Sequence, residues 1–128
     1  MKVNSRNIEL FKNLSEFDIN EIYFDFHNDF NCINIKFENK SLILSFQDIV
    51  NDFLVLLCFE NTVLTTYNSD FFLFSNFLTL DNLYRGKCQV NEKLTEFENE
   101  KGYFYLEFYE GQKAEFWCEN LIVKKLLK

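Results

Sequence analysis

Few side chains in this sequence have the type and spacing that catalysis needs. His27 is the only histidine, and its charged neighbours along the chain are Asp25 and Asp29. A lone histidine next to a turn is typical of a surface residue. The chain has three glycines and contains neither a phosphate-binding loop nor a G-x-S-x-G nucleophile motif. These observations favour a protein that is not an enzyme and that binds no cofactor.

Paired carboxylates are the other chemistry to consider. Glu107 and Glu115 have the same parity in a predicted hairpin and could lie across from each other. Two carboxylates about 5 to 9 Å apart would suit a glycosidase. The chain has 20 acidic residues, however, and acids are common on any open sheet face. A solvated face is therefore the preferred interpretation of this pair.

The cysteines do not form a metal-binding pattern. They are Cys32, Cys58, Cys88 and Cys118. None belongs to a C-x-x-C pair, so no metal site is predicted. Two disulfides could form in three ways. The first residues, "MKVNSRNIELFKN", carry charges where a secretory signal needs an apolar segment, so we expect a cytoplasmic protein with free thiols.

The charge of the chain restricts the class of partner. The formal net charge is −7, and 41–84 contains no lysine or arginine. Acidic surfaces repel nucleic acids and anionic membranes. The longest unbroken apolar run, 53–59, is too short to span a bilayer. The sequence thus predicts no nucleic-acid or membrane partner and is compatible with a basic protein partner.

The chain of 128 residues is predicted to form one domain over 1–128. A short helix is expected at 5–14, with Ser5 as N-cap and with Ile8, Phe11 and Leu14 on one face. A β-rich core is expected over 20–124.

Alternation of apolar and polar residues predicts the strands. The segments 22–26, 32–38 and 41–47 alternate, which predicts a three-stranded antiparallel meander with short turns. Residues 60 and 61 are a candidate hairpin turn between two further strands. The aromatic segment 71–79 is expected to be buried or to cover an edge. About eight strands predict a mainly β fold, with α+β as an alternative, in which the antiparallel meander closes into a sandwich or a barrel.

The C-terminal hairpin, 102–118, has an unusual outer face. Its inward set is apolar and consists of Phe104, Leu106, Phe108, Ala114, Phe116 and Cys118. The opposite set combines aromatic and acidic residues, which are typical of interface hot spots. We expect these side chains to bind a basic partner, extended by Tyr23 and Asp25 if the N-terminal strand lies alongside. The predicted partner-binding residues are Tyr103, Tyr105, Glu107, Tyr109, Glu115, Trp117, Tyr23 and Asp25.

Two simpler explanations of this face remain open. Tyrosine is amphipathic and is stable on a half-exposed sheet, where cross-strand aromatic pairs contribute about 0.2 to 1 kcal/mol. Alternatively, the segment 71–79 covers the face.

The stretches "FENKSLILSF" and "YFYLEFYEGQKAEFWCENLIV" resemble small acidic bacterial immunity proteins of polymorphic toxin systems. The similarity extends over about 20–124, without a diagnostic motif from which binding residues could be transferred. It implies a cytoplasmic, β-rich inhibitor that binds and blocks a basic toxin and has no catalytic activity of its own.

Two other functions fit the composition. A β-barrel lined by some of the 17 phenylalanines could bind a small apolar ligand, in which case a large internal cavity is expected. A structural or mobile-element protein that works as an oligomer is the third hypothesis. The leading hypothesis predicts a monomer or a weak homodimer.

Overall fold

Antiparallel strands account for most of the computed structural model, which describes residues 1–74 and 76–127. The strands are β1 (Lys2–Asn4), β2 (Glu16–Ile19), β3 (Ile22–Asp25), β4 (Phe30–Glu38), β5 (Ser41–Asp48), β6 (Phe53–Glu60), β7 (Val63–Tyr67), β8 (Leu80–Gly86), β9 (Cys88–Val90), β10 (Lys93–Thr95), β11 (Phe97–Glu98), β12 (Lys101–Phe108), β13 (Lys113–Cys118) and β14 (Asn120–Leu127). The mainly β prediction is confirmed.

Two five-stranded sheets form the body of the protein. Sheet 1 has the order β1-β14-β6-β5-β4. Sheet 2 has the order β11-β12-β13-β7, and β8 pairs with β12 on the side away from β13. The hairpins β2–β3 and β9–β10 are separate two-stranded sheets. The sheets are open and do not close into a barrel, so of the two predicted architectures the structure has the sandwich-like one.

The inner faces of the two sheets share one core. Val55, Leu57 and Phe59 alternate along β6 as fully buried residues of sheet 1. The Phe59 ring centroid lies 5.5 Å from that of Phe104 and 4.9 Å from that of Phe116, both in sheet 2. Every apolar residue predicted to point inward from the C-terminal hairpin is buried at 1% exposure or less. The period-two pattern therefore identified the core side of this hairpin correctly.

The chain crosses between the sheets at two corners. The predicted hairpin turn at 60–61 is one of these corners, so that prediction is wrong: β6 belongs to sheet 1 and β7 to sheet 2. The Thr62 amide donates to the Lys40 carbonyl, and the Thr62 hydroxyl donates to the Phe59 carbonyl. These bonds hold the chain as it leaves sheet 1. The second corner is at Glu119, whose amide donates to the Glu60 carbonyl.

Four hairpins use the same two-residue turn. Each turn is an asparagine followed by a charged residue, and both residues have positive φ values between 49° and 67°. This is the type I′ conformation, whose twist matches that of paired strands and for which asparagine is favoured in the first position. The turns are Asn20–Glu21, Asn39–Lys40, Asn91–Glu92 and Asn99–Glu100.

The predicted meander begins one strand too early. The strand predicted at 22–26 does not pair with the strand predicted at 32–38; β3 pairs with β2 through the turn at Asn20. At its far end, the Asp25 carboxylate accepts hydrogen bonds from the backbone and side chain of Asn28, which turns the chain away from β3. The three-stranded meander of the structure is β4-β5-β6.

The predicted helix at 5–14 is absent. Only a three-residue 3-10 turn, Ser5–Asn7, forms there, and Asn4 caps it in place of Ser5. The amides of Phe11 and Leu14 donate to the carbonyls of Arg85 and Leu83, so this segment lies along the edge of β8 and uses donors that a helix would need.

The aromatic segment 71–79 lies at the edge of sheet 1, except for Ser75, which is outside the described residues. Phe71 is fully buried in the common core. Leu78 forms an antiparallel bridge to Cys32, with both backbone hydrogen bonds between 2.8 and 2.9 Å. The segment thus protects part of the free edge of β4, which confirms the edge-covering prediction.

All four cysteines are free thiols, as the sequence predicted. Burial raises the pKa of Cys32 to about 12 and also raises that of Cys118, whereas Cys58 and Cys88 are only half-buried. Since the thiolate is the reactive form, we expect a thiol reagent to modify Cys58 and Cys88 first in the folded protein. The unfolded protein should show four reactive groups without prior reduction. Equal rates for all four thiols in the folded protein would contradict this burial pattern.

Candidate functional site

The outer face of sheet 2 brings aromatic and acidic side chains into two adjoining rows. One row places Tyr84 of β8 opposite Tyr105 of β12, which is opposite Glu115 of β13. The Tyr84 and Tyr105 ring centroids are 5.2 Å apart with an angle of 30° between the planes. The next row places Tyr103 opposite Trp117, with ring centroids 4.8 Å apart. Cross-strand pairing therefore assembles one continuous patch from three strands.

Glu115 is the central acid of this patch. Its Oε1 accepts a 2.6 Å hydrogen bond from the Tyr103 hydroxyl, and its Oε2 has a longer contact of 3.4 Å with the Thr66 hydroxyl. The Thr65 hydroxyl donates to the Glu115 carbonyl and is 3.4 Å from the Tyr103 hydroxyl. These partners fix the carboxylate in position and leave Oε2 with capacity for a stronger donor.

Tyr103 and Trp117 are less exposed than the sequence suggested. Their exposed fractions are 4% and 8%, whereas Tyr105 and Glu115 are half-buried. The two rings pack on each other and on the outer side of the sheet, with β9–β10 residues close by: Leu94 lines the same groove as Tyr103. The prediction that all four side chains face solvent is therefore corrected. Tyr103 and Trp117 form a small packed cluster that supports the exposed part of the face.

We expect Trp117→Ala to destabilise the fold as well as altering the surface. Removing a nearly buried indole leaves a cavity beneath Tyr103, which should lower the free energy of unfolding by about 2 kcal/mol. Urea denaturation measures this change. Tyr109→Ala, in the same hairpin but 76% exposed, is the matched control and should change stability by less than about 0.5 kcal/mol. An unchanged midpoint for Trp117→Ala would show that the indole does not belong to a packed cluster.

A groove of about 290 Å³ crosses this face. Of its lining residues, Tyr103, Tyr105 and Glu115 were predicted to bind a partner. The groove is also lined by five residues that were not predicted: Phe11, Tyr84, Gly86, Lys87 and Leu94. Phe11 is 60% exposed and Leu94 is 72% exposed. Phe11 was predicted to lie on the apolar face of a helix at 5–14, so its position at the rim of the groove was not predicted.

Three of the predicted partner-binding residues lie elsewhere. Tyr109 follows the end of β12 in a turn and is highly exposed. Tyr23 and Asp25 belong to β3, which pairs with β2 and not with any strand of sheet 2 among the described residues. Aromatic contacts of Phe24 and Phe26 with Phe30 show that this hairpin packs beside sheet 1. The structure thus brings together Tyr103, Tyr105, Glu107, Glu115 and Trp117, but not the other three.

The acids of the patch are held by neutral donors. Glu107 accepts a 3.1 Å hydrogen bond from the Asn82 side chain, and Glu115 accepts from hydroxyls. Within the described ranges the ion pairs are Lys2–Glu60, Lys36–Glu38 and Arg85–Glu96, and none involves these two acids. Burial together with the neighbouring carboxylates raises the pKa values of Tyr84 and Tyr105, so both phenols stay neutral at physiological pH. The patch therefore has a negative potential beside aromatic rings.

The two candidate catalytic carboxylates, Glu107 and Glu115, do not lie directly opposite each other. Glu115 is opposite Tyr105, and Glu107 is opposite Lys113, so the two acids are diagonal neighbours. The expected placement of Glu107 directly across from Glu115 is therefore wrong. His27 Nδ1 is 2.6 Å from the Leu80 carbonyl, which gives the imidazole a structural partner.

In residues 1–74 and 76–127, no cluster of three or more His, Cys, Asp or Glu residues could hold a metal ion. Over the same ranges, no helix has the length and apolarity to cross a membrane. No family model matches the chain, and no curated protein or solved structure gives a significant match.

Proposed function

We propose that this protein is a non-catalytic binding module that engages a basic protein partner through the outer face of sheet 2. The observation that carries the proposal is the Tyr84–Tyr105–Glu115 row, where half-buried aromatic rings adjoin a carboxylate that has no cationic partner among the described residues. Tyrosine supplies large contact area with few rotatable bonds, and an unpaired carboxylate attracts lysine or arginine.

The opposite outer face is less suited to such a partner. The outward residues of sheet 1 include Lys2 and Lys36, whose ammonium groups already pair with Glu60 and Glu38. A basic protein approaching sheet 1 would therefore meet neutralised acids. On sheet 2, Lys87 lies at the groove rim and Lys113 lies opposite Glu107, and among the described residues neither lysine forms an ion pair with Glu107 or Glu115. This asymmetry favours sheet 2 as the docking side.

The most concrete form of the proposal is an immunity-type inhibitor. The net charge of −7 favours rapid association with a basic toxin. The resemblance of 20–124 to acidic immunity proteins points to the same class. In this function the protein blocks its partner by covering it and performs no chemistry.

Binding of a small apolar ligand is less well supported. That function requires a cavity lined by phenylalanine, but the sheets are open and many phenylalanines pack on one another. The fully buried phenylalanines are Phe17, Phe26, Phe46, Phe59, Phe71, Phe104, Phe108 and Phe116.

Co-expression tests the proposal directly. The C-terminal domain of the protein encoded immediately upstream would be induced in bacteria with and without this chain, and its affinity for the purified chain measured by calorimetry. We expect restored growth and a dissociation constant in the nanomolar range. Tyr105→Ala should weaken binding by about 2 kcal/mol. Absence of binding, with growth unchanged by co-expression, would refute the proposal.

Charge-reversal variants test whether the partner approaches the outer face of sheet 2 or that of sheet 1. Glu107→Lys should slow association, and the effect should be largest at low salt. Glu38→Lys makes the same change of charge on sheet 1 and serves as the control, with a much smaller effect on the association rate. Equal effects of the two variants would indicate that only the net charge of the chain matters.

A further inference from the structure

We infer that the groove on sheet 2 is an anchoring site for a single arginine side chain of an extended basic segment. This inference rests on the proposed function and specifies which chemical group of the partner the groove recognises.

The walls of the groove suit a planar cation. Tyr84 and Tyr105 present half-buried rings side by side, and the Phe11 ring lies 6.1 Å from that of Tyr84 at 60°. A guanidinium group is planar, is weakly hydrated and stacks on aromatic faces, and its attraction to them increases when water is excluded. An ammonium group lacks the plane that such stacking requires.

Glu115 supplies the charge at the end of the groove. Its Oε1 is occupied by the Tyr103 hydroxyl at 2.6 Å, whereas Oε2 has only the 3.4 Å contact with Thr66. A guanidinium lying on Tyr105 can donate to Oε2, and a charge-assisted hydrogen bond of this kind is among the stronger ones in proteins. Burial raises the pKa values of Tyr84 and Tyr105, and the carboxylates of Glu107 and Glu115 raise them further; the negative field of these carboxylates also favours a bound cation.

Phe11 is held at the rim in an unusual backbone conformation. Its φ is +63°, in the left-handed region that bulky residues rarely adopt. The Phe11 amide donates to the Arg85 carbonyl at 2.8 Å, which fixes the backbone while the ring stays 60% exposed. A strained residue that keeps an aromatic ring at the mouth of a groove is a common feature of ligand sites.

Gly86 also lines the groove. A Cβ at this position would lie 3.5 Å from the Tyr84 ring and 3.9 Å from the Phe11 ring, at ordinary contact distances.

Lys87 is the one residue of the groove lining whose charge opposes the proposed ligand. If the ligand is a cation, neutralising Lys87 should strengthen its binding.

To test the inference, the purified chain would be titrated with acetyl-Gly-Arg-Gly-amide, and the chemical shifts of the backbone amides of the chain would be followed. We expect shifts centred on Gly86, Tyr105 and Glu115, with a dissociation constant on the order of 1 mM. The same peptide with citrulline, which has the same shape without the charge, should bind at least tenfold more weakly. The lysine peptide should bind several-fold more weakly than the arginine peptide. Equal binding of the citrulline peptide, or shifts spread over all acidic surfaces, would overturn the inference.

Matched variants test whether the peptide binds in the groove or responds only to the overall negative charge of the chain. Glu115→Gln should weaken the arginine peptide about tenfold and Tyr105→Leu several-fold, while Lys87→Gln should strengthen it. Glu38→Gln and Lys36→Gln change the net charge equally on sheet 1 and should have little effect. Circular dichroism confirms that each variant is folded, and a groove variant with no more effect than its control would overturn the inference.

Failure of the arginine-anchor inference can be distinguished from failure of the proposed function. If the upstream protein binds through Tyr105 and Glu115 but the arginine peptide does not bind the groove, the arginine anchor is wrong and the binding function stands. If the arginine peptide binds as described but no upstream protein binds, the groove stands and the proposed toxin partner is wrong.

Discussion

Phe59→Ala is expected to lower the free energy of unfolding by about 4 kcal/mol. The ring is fully buried in β6 of sheet 1 and lies edge-on to Phe104 and Phe116 of sheet 2, so it joins the two sheets. Truncating a buried phenylalanine costs about 3 to 5 kcal/mol, because apolar contact is lost and the surrounding structure fills the cavity only partly. Chemical denaturation followed by fluorescence of the single tryptophan, which lies in sheet 2, measures the loss.

Val50→Ala is the matched control for this variant. Val50 is 88% exposed in the bend between β5 and β6, so its truncation should change stability by less than about 0.5 kcal/mol. A loss below about 1.5 kcal/mol for Phe59→Ala would mean that the two sheets do not share one core.

Arg85→Ala is expected to cost about 3 kcal/mol. Arg85 is 3% exposed, its Nε donates to the Ile8 carbonyl at 2.8 Å, and one terminal nitrogen pairs with Glu96 at 3.0 Å. Its guanidinium also lies 4.6 Å from the centroid of the Phe97 ring. Removing Arg85 leaves the Ile8 carbonyl without its donor, in addition to the lost packing of a buried side chain, whereas the half-exposed Glu96 can be solvated by water.

The exposed Arg6 supplies the control for Arg85. The backbone amide of Arg6 donates a hydrogen bond to the Asn4 side chain, and alanine keeps this amide, so Arg6→Ala should change stability by less than about 0.5 kcal/mol. Thermal unfolding of the two alanine variants gives the comparison. Equal melting temperatures would contradict the view that Arg85 links the N-terminal segment to β8 and β11 of sheet 2.

Strand existence was predictable because one face of each sheet is buried. In β5, Leu42, Leu44 and Phe46 are buried while Ile43 and Ser45 are half-buried, so the pattern has a clear period of two. In β8, the same parity places Arg85 on the inner side of the sheet next to Leu83. That conflict between parity and charge was a visible signal for a buried arginine.

Pairing between strands was less predictable, because it depends on turns and on backbone donors. The β2–β3 hairpin was missed because β2 has only four residues and because the predicted β-rich core began at residue 20, inside the type I′ turn Asn20–Glu21. The helix at 5–14 was predicted from the spacing of Ile8, Phe11 and Leu14, but carbonyls at the edge of β8 accept the amides of this segment. An unpaired sheet edge is a tertiary feature that local periodicity does not contain.

The candidate site was predictable only in part, for the same reason. The parity of the C-terminal hairpin placed Tyr105 and Glu115 on the outer face correctly. Tyr84 joins them through the β8–β12 register, and Phe11 joins through the edge contact with β8. Both additions come from segments distant in sequence, so no local pattern could have selected them.

The central claim is that a basic partner covers the outer face of sheet 2, and hydroxyl-radical footprinting of the complex tests it most directly. Oxidation of tyrosine and phenylalanine side chains would be compared by mass spectrometry between the free chain and its complex with the partner domain identified by co-expression. We expect strong protection of Phe11, Tyr84 and Tyr105, whereas the exposed Tyr23 of the separate β2–β3 hairpin should be unchanged. Protection of Phe37 on sheet 1, with Tyr84 and Tyr105 as reactive as in the free chain, would contradict it.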